Sequence, residues 1–124
     1  MLLVADHTIS IGSAAPVLVE RGLAFVSAWG TDCARVETDF DTAIVDRNPN
    51  ETADNVILTT SHANDSLKEA VEFFVLVAQP APAYVDGCNT WDIVASSAPL
   101  LAAVKTALVS CGATRTGENS AGRR

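Results

Sequence analysis

Cys33 and His62 are the two side chains of this 124-residue sequence best suited to nucleophilic or acid–base chemistry. Cys33 is expected in the first turn of a helix, where the macrodipole lowers a thiol's pKa, and His62, at the end of the next strand, is placed to act as its base. Asp32 beside it works the other way, since a neighbouring negative charge disfavours the thiolate. Cys33 also belongs to the apolar stripe Cys33, Val36, Phe40 and Ile44, whose three-four spacing marks the buried face of a helix. A cysteine on such a face packs as a small hydrophobe. That reading is preferred, and catalysis by Cys33, His62 and Asp32 is kept as the alternative.

A metal centre is the second chemistry the residue types allow. Only His7, His62 and Cys33 are expected at the same sheet edge, with Asp6, Asp32 or Asp65 as a fourth ligand. No two of them have the close paired spacing of zinc motifs, so no metal is expected. Ser61 and Ser96 do not sit in a G-x-S-x-G elbow. Gly12 and Gly30 stand singly near strand ends, with no G-x-G-x-x-G or Walker pattern, so no cofactor is expected.

Charge offers a third possibility. Seven carboxylates, Asp32, Glu37, Asp39, Asp41, Asp46, Glu51 and Asp54, face only Arg35 and Arg47 within one short stretch. The plainer reading is a solvated helix face and loop. The sharper one is a docking surface for a basic protein partner.

Positioning these residues falls to four strand-length apolar runs, each followed by a helical pattern. Leu2–Ala5 precedes a short helix over about 14–21, with Pro16 in its first turn and Gly22 just past its end. Leu23–Trp29 breaks at Gly30, and a helix is expected to start near Thr31. After the loop 46–54, Asn55–Thr60 is β-branched and strand-like. Ser66 and Glu69 form a capping box for a helix whose inner face is Leu67, Ala70, Val71, Phe74, Val77 and Ala78. Its second half, FFVLVA, is apolar nearly all round and reads as a deeply buried helix, or else a strand. Pro80 and Pro82 end it. Thr90–Ala95 is the fourth strand, and Ser97 caps a last helix with the stripe Leu101, Val104, Leu108 and Cys111, ended by Gly112.

Alternation of this kind predicts right-handed crossovers and a single α/β domain over 1–112: a three-layer sandwich with a four-stranded, mainly parallel sheet, a flavodoxin- or Rossmann-like half. The expected strand order is 2-1-3-4, with the short first strand at an edge as the variant. Residues 113–124 are expected to be a disordered polar tail.

Formal net charge is −7, and −9 without the tail, whose Arg115, Arg123 and Arg124 outnumber Glu118. A body this acidic repels phosphate backbones and anionic lipid surfaces, so neither nucleic acid nor membrane is an expected partner. The opening MLLVADHTIS lacks a basic segment and is not read as a signal peptide. Cys33, Cys88 and Cys111 are an odd, scattered set, which fits reduced thiols in a cytoplasm.

At WGTDC (29–33) and TTSH…SLKEAVEFF (59–74) the chain resembles a family of small bacterial proteins known only as a domain of unknown function. That family carries a W-G-P-D-C turn and a T-T-W-H strand end. Here Thr31 stands in place of the proline and Ser61 in place of the tryptophan. The likeness covers roughly residues 20–95. It implies a bacterial origin and the strand–helix order above, and no activity. The functional expectation is therefore a small non-enzymatic protein-binding protein, such as an acidic immunity or inhibitor protein for a basic toxin. The alternative is a small enzyme or ligand-binding module at the strand ends around Asp32, Cys33 and His62.

Overall fold

A computed structural model describes residues 2–5, 14–47, 50, 52, 55–87 and 90–112. Its elements run β1 (Leu2–Ala5), α1 (Ala15–Glu20), β2 (Phe25–Trp29), α2 (Cys33–Arg47), β3 (Leu58–His62), α3 (Leu67–Leu76), β4 (Asp92–Ala95) and α4 (Ala98–Ser110), with a 3₁₀ turn at Pro82–Tyr84. The protein is a mixed α/β structure on a small sheet in which every pairing is parallel. Among the described residues no helix is long and apolar enough to cross a membrane.

The strand order is β3-β2-β1-β4, not 2-1-3-4, and β1 lies inside the sheet rather than at an edge. Composition explains the difference. LLVA carries nothing polar and suits a strand paired on both sides, whereas LTTSH is polar enough to tolerate an edge. The order reverses between β1 and β4. Open α/β sheets bind ligands where the strand order reverses, which here is at the ends of those two strands, with β3 and its His62 two strands away from β1.

Pleating divides the core in two. Val26 and Ala28 of β2 pack with Ala15, Val19, Cys33, Val36, Phe40, Ala43 and Ile44 of α1 and α2. Ile93 of β4 joins Val71, Phe74, Val104, Ala107 and Leu108 of α3 and α4, with Trp29 against them. Phe74 meets Trp91 with ring centroids 5.6 Å apart.

Local signals act where expected. Ser66 Oγ accepts from the Glu69 N–H at 3.1 Å and Glu69 Oε1 accepts from the Ser66 N–H at 2.8 Å, closing the capping box. Ser97 Oγ accepts from the Leu100 N–H at 3.2 Å. Gly30 adopts φ +121° in the turn between β2 and α2, a conformation open mainly to glycine. The apolar second half of α3 is helical and buries Phe74 completely, but the helix stops at Leu76 and its end protrudes: Leu76 is 66% and Val77 61% exposed.

Candidate functional site

The segments WGTDC and TTSH meet at the ends of β2 and β3. Trp29 and His62 are register partners, as are Ser27 and Thr60. Period-two alternation therefore puts all four side chains on the face that α3 covers. The turn that leads into the Ser66 cap brings Asp65 to the histidine. His62 Nδ1 lies 2.9 Å from Asp65 Oδ2, and Nε2 lies 3.0 Å from Thr60 Oγ1. Thr60 Oγ1 is 3.2 Å from the hydroxyl of Ser27, which is fully buried. The Trp29 indole N–H donates to the Asp65 carbonyl at 2.7 Å, and the His62 ring packs on Phe73 at 4.7 Å between centroids.

This chain satisfies its polar groups in either charge state of the imidazole. With the ring neutral and its proton on Nδ1 facing the carboxylate, Thr60 donates to Nε2 and Ser27 donates to Thr60. With the ring protonated, Nε2–H donates to Thr60, which donates to Ser27. The hydroxyl–imidazole–carboxylate connectivity is that of an activated nucleophile. The imidazole, however, is only 9% exposed and walled by Phe73, so its first effect is to hold the strand ends and the turn in one geometry.

Cys33 lies elsewhere. It is 1% exposed, in the cluster beneath α1 and α2, on the opposite face of the sheet from His62. Asp32 is half-buried and pairs with Arg35 at 3.2 Å. The structure thus does not bring Asp32, Cys33 and His62 together, and it does show the apolar packing preferred for Cys33. Among the described residues no three histidine, cysteine or acidic side chains are grouped to hold a metal ion. Asp6, His7, Glu51, Asp54, Cys88 and the tail 113–124 lie outside the described residues. Ser61 is half-buried, and Ser96 is exposed at the end of β4.

Cys33 and Cys111 are free thiols. Burial, then the Glu72 carboxylate, pushes the Cys111 thiol up, which slows its reaction as a thiolate. Titration of denatured protein is expected to find all three cysteines free, and in the folded protein Cys33, buried, should react more slowly than the partly exposed Cys111. A single titratable thiol would instead show that two of the three are bridged.

On the other face of β3, α2 carries the carboxylates. Arg35 lies between Asp32 and Asp39, at 3.2 and 3.5 Å. Glu37 and Asp41, one turn apart, both reach the Thr59 hydroxyl, at 3.2 and 2.7 Å. That hydroxyl has one proton to give, and like charges four residues apart repel. Asp41 and Asp46 are exposed, whereas Asp39, expected to face solvent, is half-buried beside Arg35. Arg47 is turned to Glu20 of α1 at 2.9 Å. Thr59 and Ser27 were not singled out by sequence reasoning as part of any site. Ser27 did carry a signal, as a lone polar residue in the run LAFVSAW, because a buried hydroxyl needs a partner.

A family model described as a domain of unknown function (DUF7684) matches residues 4–109, consistent with the uncharacterised family expected from the sequence. No curated protein and no solved structure matches the chain.

Proposed function

We propose that this chain, which belongs to the DUF7684 family of unknown function, is a small cytoplasmic protein-binding protein without catalytic activity. It docks a basic protein through Asp32, Glu37, Asp39, Asp41, Asp46, Glu51 and Asp54, as an acidic immunity or inhibitor protein neutralises a basic toxin. The scaffold is read as a three-layer sandwich, a Rossmann-like half.

The observation that carries this reading is the outer side of α2. Glu37 and Asp41 share one hydroxyl, and Asp46 meets no cation among the described residues. A helix face that leaves its negative charge this poorly neutralised projects a field that speeds encounter with a basic surface. A second reading, a ligand-binding or acid–base module at the ends of β2 and β3, draws on the Thr60–His62–Asp65 chain.

The test is kinetic. With a partner captured from the host and identified by mass spectrometry, association is expected to slow as salt rises through about 0.1 M, where the screening length is about 10 Å. Asp39→Lys with Asp41→Lys should lower the on-rate roughly tenfold or more at low salt, with the circular dichroism spectrum unchanged. An on-rate equal to that of the wild type would show that the carboxylates are a solvated face and move the second reading ahead.

A further inference from the structure

The proposed partner surface includes an open sheet edge. Among the described residues β3 pairs only with β2, and the other side of the strand carries no partner strand there. The Leu58 N–H bonds to the Ala24 carbonyl of the chain entering β2. By alternation, the backbone groups of Leu58, Thr60 and His62 point inward, and those of Thr59 and Ser61 point out. Among the described residues no backbone bond reaches this outer side. Thr59 is also the residue whose hydroxyl holds Glu37 and Asp41. Unpaired backbone donors and acceptors and poorly neutralised carboxylates therefore coincide at one residue.

We infer that the basic partner docks by adding an extended segment to the outer edge of β3, with lysine or arginine side chains on alternate residues reaching Glu37 and Asp41. This deepens the protein-binding proposal and rests on it. Strand addition takes its affinity from main-chain hydrogen bonds and its selectivity from alternate side chains. Alternation places every second side chain of the added strand on the α2 face, beside the two carboxylates. The intervening residues fall on the His62 and Phe73 face, where an apolar side chain fits. A second copy of this chain is the wrong occupant: edge-to-edge pairing of two β3 strands brings two Glu37–Asp41 pairs together, the kind of like-charge guard that keeps natural edges from self-pairing.

The experiment uses the full chain and an alternating lysine–valine peptide, with a glutamate–valine peptide and a peptide N-methylated on every second amide as comparisons. Amide exchange and NMR shifts are the readouts. The lysine–valine peptide is expected to bind and to slow exchange at the Thr59 and Ser61 amides. Glu37→Lys with Asp41→Lys should abolish binding. N-methylation on the bonding side, or Ser61→Pro, which removes an outward donor that an edge strand can lose, should weaken it about fivefold or more per lost bond. Binding that depends on the carboxylates but leaves both amides unprotected and tolerates N-methylation overturns strand addition and leaves the acidic docking surface standing. Failure of the lysine–valine peptide to bind in any form overturns both. Dimerisation of the free chain, with protection at the same two amides, overturns the choice of occupant.

Discussion

Phe40→Ala is expected to lower the unfolding free energy by about 3–5 kcal/mol, against a total of about 5–15 kcal/mol for a domain of this kind. Phe40 is completely buried, midway along α2, among Val19, Val26, Val36 and Ile44. Removing its ring opens a cavity among the buried side chains of α1, α2 and β2. The urea midpoint should fall with little change in slope, because the surface exposed on unfolding is nearly the same. Phe40→Leu should recover most of the loss. A cost below about 1 kcal/mol would mean that the site collapses around the deletion, and so that α2 is not packed here as described.

Thr60→Val carries the second-largest expected effect, about 1–3 kcal/mol, although it changes neither size nor shape appreciably. The methyl that replaces the hydroxyl leaves Nε2 of His62 and the hydroxyl of the fully buried Ser27 facing it without a partner. Ser27→Ala removes the orphan along with the bond, so it should cost less, and the double variant should cost less than the sum of the two. That non-additivity, read in a double-mutant cycle, distinguishes a connected chain from two independent contacts. Strict additivity would show that Thr60 bonds only one of its neighbours in solution.

Elements whose signal lies within a few residues were legible. β1 falls at Leu2–Ala5 as read, and the Ser66 and Ser97 caps start α3 and α4. β3 begins at Leu58 rather than Asn55 because Asn55 turns back to accept the Thr52 N–H at 2.7 Å. A propensity for extended structure does not reveal such a local competitor. Strand order was not legible, since it depends on which edges meet across the whole chain. The site was half legible for a related reason. Sorting residues by strand end placed Cys33 and His62 at the same height, but it did not fix the face. The pleat carries His62 under α3, while the helical stripe carries Cys33 under α1.

The indole of Trp29 also makes the protein its own optical gauge. The chain has two tryptophans, and Trp91→Phe would leave a single emitter whose N–H is tied to the Asp65 carbonyl. If the turn after β3 lifts away, that indole exchanges a carbonyl for water and its emission moves to the red. Fluorescence from one atom pair, with no dye attached, would then show whether a strand arriving at the neighbouring edge loosens or tightens the end of β3.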